Sequence, residues 1–240
     1  MTKINYQHSQ DIHNTKDALE ILPVVFKYIQ PKSIVDIGCG NGSWLKASKL
    51  LGVEKVTGVD GVKVDRKELL IEDHEFLLHD LTKPFQLQQS YDMAICLEVG
   101  EHLPKSSADM LISSLCTLSD VVLFSAAVPN QLGHCHINEQ WPEYWHQKFK
   151  EHNFLAYDIL RQEFWDHKKV FWWYSQNMII YAKKGCLDGV LVPNKKVNAL
   201  VHPSNYNQKI THPKYLKTKK ELLNLIALTT KILLKKILKP

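Results

Sequence analysis

The run Ser33-Ile-Val-Asp-Ile-Gly-Cys-Gly-Asn-Gly42 decides the fold. Its first half is a short apolar strand. Its second half places glycines at 38, 40 and 42, and Ser43–Leu51 then reads as a helix. A glycine-rich turn between strand and helix lets backbone approach a ligand with no Cβ in the way. The variant matters. A dinucleotide fingerprint needs a sixth-position glycine, and counted from Gly38 that position is Ser43; there is no Walker lysine either.

Working outward, strands and helices alternate at short intervals, the mark of a parallel sheet in an α/β chain. A helix precedes the run, with Asn14 or Thr15 able to cap it and Pro31 ending it. Further strands are expected at Lys55–Val59, Phe76–His79, Tyr91–Leu97, Asp120–Ala126, Leu155–Leu160 and Trp173–Ala182. Helices are expected from Pro104 or Ser106 and over Pro142–His152. The pattern fails after Lys184. Residues 185–218 read as linker or irregular surface, and 219–240 as a basic amphipathic helix, leaving 1–184 as the main domain.

The charge divides at the same place. The chain has 240 residues and a formal net charge of +5. Residues 1–185 carry 19 basic and 23 acidic side chains, a net −4; residues 186–240 carry 11 lysines against Asp188 and Glu221, a net +9. This is a mildly acidic domain with a basic tail, so nucleic acid is the less expected partner. Cys39, Cys96, Cys116, Cys135 and Cys186 are odd in number and form no CxxC pair, which excludes a zinc ribbon and points to a reducing cytosol. No uncharged stretch reaches the roughly 18–20 residues of a membrane span; Leu222–Thr230 stops at nine. Lysine-flanked apolar positions in the tail fit an anionic membrane surface, or a partner protein, and place the chain at most peripherally on a membrane.

Two aspartates follow the glycines in order. Asp60, with Gly61 behind it, closes the second strand and can accept from two ribose hydroxyls. Asp80 closes the third and is placed to take an adenine amine. At these residues the chain resembles the class I S-adenosylmethionine-dependent methyltransferases, over roughly residues 12–184. The resemblance implies a doubly wound seven-stranded sheet of order 3-2-1-4-5-7-6, with strand 7 antiparallel and helices on both faces. It implies that Asp36 supports the loop and the ligand's amino group, that Gly38 and Gly40 pack against the ligand, and that Gly42 eases the turn into the helix. Asp60 would hold ribose, and Asp80 with Leu81 would bracket adenine. The N-terminal helix, near His13 and Asn14, would fold over the cofactor.

The reacting end is expected beyond the fourth strand. Sulfonium methyl transfer needs little acid catalysis, because the leaving group is a neutral thioether. A hydroxyl acceptor needs a general base or a metal ion to make it nucleophilic. Glu98-Val-Gly-Glu101-His102 offers three titratable groups in five residues, and Gly133-His-Cys-His136-Ile-Asn-Glu139-Gln-Trp141 follows the fifth strand. Two mechanisms fit. In one, Glu98, Glu101, His102 and His134 or His136 hold Mg, Mn or Zn; this pattern resembles metal-dependent small-RNA 2′-O-methyltransferases and some quinone-biosynthesis O-methyltransferases. In the other, His102 or His136 is a general base. Glu98 also has a simpler role open to it, capping the next helix or contacting the cofactor.

Residues Trp141–Tyr174 hold 12 of the 23 aromatics. Trp173 and Tyr181 are expected to alternate inward on a strand. Trp141, Tyr144, Trp145 and Trp165 are candidates for a sugar or base face. The His-Ile-Asn-Glu-Gln-Trp run, Glu98…Glu101-His102 and Ser175-Gln-Asn177 resemble a bacterial and viral methyltransferase family associated with glycan assembly, which implies a sugar hydroxyl as acceptor. The competing readings are an RNA 2′-hydroxyl, a quinol at a membrane, and a binding module without catalysis.

Overall fold

The computed structural model describes residues 14–84, 87–211 and 218–237. The chain forms two compact units that divide after Leu200. The first holds helix α1 (Lys16–Val25), strand β1 (Ser33–Ile37), α2 (Ser43–Leu50), β2 (Lys55–Asp60), β3 (Phe76–Leu78), β4 (Met93–Leu97), α3 (Ala108–Leu118), β5 (Val121–Ser125), α4 (Pro142–Glu151), β6 (Phe154–Tyr157), α5 (Leu160–Phe164), α6 (Trp172–Asn177) and β7 (Ile179–Lys183). The second holds α7 (Pro203–Thr211) and α8 (Lys219–Ile237).

The seven strands make one sheet of order β3-β2-β1-β4-β5-β7-β6. β7 pairs antiparallel with both β5 and β6, and every other pairing is parallel. This is the doubly wound order expected. Alternation along each central strand explains why helices cover both faces. Met93, Ile95, Val121, Leu123 and Ile180 face one core, with Ile21 and Leu22 of α1, Leu45 of α2 and Phe164 of α5. Ala94, Cys96, Val122, Phe124 and Ile179 face the other, with Leu111 and Leu115 of α3 and Trp145 and Phe149 of α4. A period of two gives each strand two buried faces, as a parallel sheet requires.

Three elements differ from expectation. Trp173 is not on a strand: residues 172–177 form α6, and β7 begins only at Ile179. The sixth strand ends at Tyr157, and Leu160 opens α5. Residues 185–200 belong to the first compact unit. Leu187 and Val197 are buried, and the Asn194 amide donates to the Ala156 carbonyl at 2.8 Å. Arg161, itself buried, anchors this strap by donating to the Asn198 carbonyl at 3.0 Å while it pairs with Asp158. The expected linker range also contains α7. His13 lies outside the described residues; Thr15 is the N-cap of α1, without a side-chain cap hydrogen bond, and Asn14 just before it accepts from the Lys16 amide at 3.0 Å.

Candidate functional site

The glycine turn leaves β1 at the carboxyl edge of the sheet. Gly38, Gly40 and Gly42 all have positive φ, at +83°, +55° and +80°. Side chains rarely adopt that region, so the loop needs glycine on conformational grounds. Space adds a second reason. A Cβ on Gly38 would stand 2.3 Å from a Val99 methyl, and one on Gly42 would stand 2.9 Å from Ile71.

Asp60 ends β2 and ties this loop down. Its Oδ2 accepts from the Gly40 amide at 2.8 Å and its Oδ1 from the Val62 amide at 2.7 Å. Asp36, next to last in β1, is buried, and burial with the neighbouring Asp60 charge pushes its carboxyl well above the usual range. Two buried acids at the mouth of a glycine loop form an acceptor-rich cradle. It suits a ligand that brings hydroxyl and ammonium donors, and the adenosine and amino-acid ends of S-adenosylmethionine bring both. Gly61 is exposed beside the exit of β3. Asp80 is exposed and accepts from the Thr82 amide and hydroxyl at 3.0 and 2.6 Å, which lowers its pKa; Leu81 beside it is buried.

Beyond β4 the backbone turns sharply. Glu98 sits at φ +54°, and residues 100–102 form a single 3-10 turn. The two glutamates therefore point to different partners. Glu98 accepts from the side-chain amides of Gln131 at 3.0 Å and Asn177 at 3.1 Å. Gln176 completes this amide cluster by donating to Gln131 and Asn177, each at 2.9 Å. Burial raises the Glu98 pKa even so. Glu101 is fully buried, and neither of its carboxylate oxygens has a hydrogen bond of ordinary geometry. Burial and the Glu98 charge hold its pKa well above normal.

The histidine loop is docked on this turn. The Ile137 and Asn138 amides donate to the Glu101 carbonyl at 2.8 and 3.0 Å, and the Asn138 side chain donates to the Gly100 carbonyl at 3.2 Å. Thus Glu101, His102 and His136 come together, each offering a ligand atom within 4.8 Å of the others. The rings of His102 and His136 meet edge to face at 4.9 Å. Burial and the neighbouring His136 depress the His102 pKa to about 4, so it is neutral at pH 7. Of the sequence-derived set of four, three residues form the cluster, and Glu98 lies beside Glu101 with its oxygens accepting from the Gln131 and Asn177 amides. His134 is exposed against the Cys135 sulfur, 3.3 Å away, and is not in the cluster.

The donor set of this cluster fits a divalent cation. Two imidazoles and a buried carboxylate form a mixed N and O site of the kind transition metals take. A cation there would also compensate the buried Glu101 charge.

The aromatic candidates separate as well. Trp145 is 2% exposed and is a core residue, which corrects its reading as a substrate contact. It lies on the α4 face that carries Phe149, and it packs so closely on Gly100 that a Cβ there would be 2.7 Å from the ring. Tyr144 lies between Lys105 and Lys148, whose ammonium groups are 5.5 and 4.6 Å from its ring centroid. Trp141, 43% exposed, immediately precedes α4, and Trp165 is half-buried at the end of α5. Sequence reasoning missed the roles of Gln131 and Gln176. A usable signal was the pair Gln176-Asn177, polar residues placed just ahead of the apolar run Met178–Ile180.

Residues 10–167 match the family described as Methyltransferase domain. A curated relative, the ribosomal protein L11 methyltransferase of Caldicellulosiruptor saccharolyticus, is 31% identical over 94 residues, which are 37% of this chain and 31% of that protein. The chain therefore spans less than a third of that relative. Among solved structures, the sugar N-methyltransferase KedS8 from Streptoalloteichus sp. ATCC 53650 aligns with a TM-score of 0.55 at 11% identity, over 70% of this chain and 87% of that one. Streptomyces venezuelae DesVI aligns at 0.54 and 10% identity, over 74% and 100%. The methyltransferase domain of bacterial CtHen1-C aligns at 0.51 and 17% identity, over 70% and 97%. At these identities the likeness is one of fold.

Proposed function

The chain belongs to the methyltransferase-domain family, and we propose that it transfers a methyl group from S-adenosylmethionine to a sugar hydroxyl of a glycan or glycolipid. One observation carries this reading: the acceptor-rich cradle around Asp36 and Asp60 and the Glu101–His102–His136 cluster both follow strand ends at the carboxyl edge of one sheet. In open α/β sheets that edge is where ligands bind. S-adenosylmethionine, when bound, supplies an electrophilic methyl and a neutral leaving group.

The chain's residues then divide the work. The loop from Gly38 to Gly42 presents backbone to the cofactor, Asp60 accepts from its ribose hydroxyls, and Asp80 with Leu81 brackets its adenine. Glu101, His102 and His136 would hold a divalent cation (Mg, Mn or Zn), and its charge would supply a lowered pKa for an acceptor hydroxyl. His102, neutral by virtue of its low pKa, serves as a ligand rather than a base. His136 remains to take the hydroxyl proton if no cation is held. Glu98 lines the boundary between the two halves, fixed by Gln131 and Asn177.

A sugar acceptor is favoured by the exposed Trp141 beside the histidine loop and by the net −4 of residues 1–185, which disfavours a polyanion on the catalytic domain. The decisive assay supplies labelled cofactor with a native glycan or glycolipid extract, with total RNA and with a quinol. Label in the glycan fraction is expected. Label in RNA or quinol would replace the acceptor, and cofactor binding without transfer to any of the three would leave a binding module.

The basic tail supports a place of work at an anionic membrane surface. Leu222, Leu223 and Ile226 of α8 are exposed, and the flanking charge is lysine. No helix among the described residues is long and apolar enough to cross a membrane. The intact chain is expected to pellet with anionic vesicles and a chain ending at Leu216 is not. Equal pelleting of both would exclude this role.

A further inference from the structure

Glu139 is absent from every role assigned so far, yet it organises the histidine loop. Its Oε1 accepts from the Leu132 amide at 2.9 Å and stands 2.9 Å from Nδ1 of His136. Its Oε2 accepts from the Asn130 amide at 2.6 Å. The loop it gathers is strained. Asn130, Leu132 and Cys135 have φ of +64°, +66° and +62°, conformations that cost non-glycine residues on the order of 1 kcal/mol or more each. Three such residues within six positions persist only if something outside the local backbone holds them. One carboxylate accepting from two backbone amides is such an anchor.

The same carboxylate dictates the chemistry of His136. A neutral imidazole whose Nδ1–H donates to a carboxylate carries its lone pair on Nε2. The ring is also seated from the other side. A Cβ on Gly133 would fall 2.2 Å from Nε2, so only glycine leaves room for the imidazole where it lies. Gly133 and Glu139 thus fix the ring's position and its protonated nitrogen together, beside His102.

We propose that Glu139 is a positioning residue that holds His136 in its Nδ1–H form and offers Nε2 to the cation or to the acceptor hydroxyl. The claim rests on the reading of His136 given above. Outer partners of metal-bound histidines carry about 10–100-fold in affinity or activity, and that is the expected size of the effect.

The test uses the full chain. Two-bond proton–nitrogen correlation spectra at pH 8, with no metal added, report which His136 nitrogen bears the proton. The Nδ1–H form is expected in the parent, and its loss in Glu139→Gln. Calorimetric Mn²⁺ affinity should fall about 10–100-fold in that variant, with S-adenosylmethionine affinity unchanged. An Nε2–H form in the parent overturns the proposal, as does an unaltered form and Mn²⁺ affinity in the variant. Should Glu139→Gln not fold, Gly133→Ala keeps the anchor and displaces the ring, so the same loss of Mn²⁺ affinity is expected; retention would count against the proposal. If the parent shows the Nδ1–H form but binds no Mn²⁺ and works fully in EDTA, the metal assignment falls. The proposal then stands or falls on methyl transfer, which should drop about 10–100-fold in Glu139→Gln.

Discussion

The two halves of the site are built by different means. On the cofactor side, each functional residue lies at the end of its own strand or one turn beyond it: Asp36 in β1, Gly38 to Gly42 directly after, Asp60 closing β2, Asp80 two residues past β3. The sheet alone sets their positions. On the acceptor side, Glu101 and His102 meet a histidine 34 residues further on, and the meeting depends on the Ile137 and Asn138 amides reaching back to the Glu101 carbonyl. The first half is positioned by strand register, the second by one loop crossing another. Damage to the first should remove binding, and damage to the second should remove turnover and leave binding intact.

The largest effect expected on the cofactor side is that of Asp60→Ala. It removes the proposed ribose acceptor and releases the Gly40 and Val62 amides. S-adenosylmethionine affinity by calorimetry should fall at least about 100-fold, or roughly 2.7 kcal/mol. Unchanged affinity would break the comparison at its firmer half. On the acceptor side, EDTA should suppress methyl transfer about 100-fold or more if the three-residue cluster holds a cation, with cofactor affinity unaltered; full turnover in chelator would leave only His136 as a base.

Smaller effects sharpen the contrast. Gly100→Ala puts a Cβ 2.7 Å from the buried Trp145 ring. Overpacking of that kind costs about 1–3 kcal/mol, read as a lower melting temperature. Because Gly100 precedes Glu101, turnover should fall more than cofactor affinity.

Asp36→Asn works in the other half and with opposite sign. The folded pKa of Asp36 lies well above its unfolded value near 3.9. Its contribution to stability is therefore fully present below that unfolded value and is lost as pH rises through the folded pKa. Relative to the parent, the cofactor-free variant should gain stability at pH 8 and almost none near pH 4, while binding the cofactor more weakly. A melting difference that does not grow with pH would contradict this assignment.

The same contrast explains what could be read in advance. The strand order was legible through the resemblance carried by the glycine run, Asp60 and Asp80, and those residues do stand at or just past strand ends. The aromatic cluster was harder. Phe171 to Tyr174 have strong strand propensity, yet tertiary context overrides such propensity; here the chain is helical just before it enters the antiparallel β7. Trp145 was misread because it follows the histidine loop, although Trp145 and Phe149 at i, i+4 already marked a buried helix face, with Tyr144 and Lys148 on the face beside it. The amide partners of Glu98 were not legible, since they depend on a positive φ at Glu98 and on two distant segments.

The proposed function places binding and chemistry in separable halves of one sheet edge. Its most direct test measures cofactor affinity and labelled methyl transfer in the same preparations of the parent, Glu101→Gln and His136→Ala. Affinity within about twofold of the parent is predicted, together with transfer reduced by roughly 100-fold or more in both variants. Transfer at the parent's rate, or affinity falling in step with transfer, would contradict it.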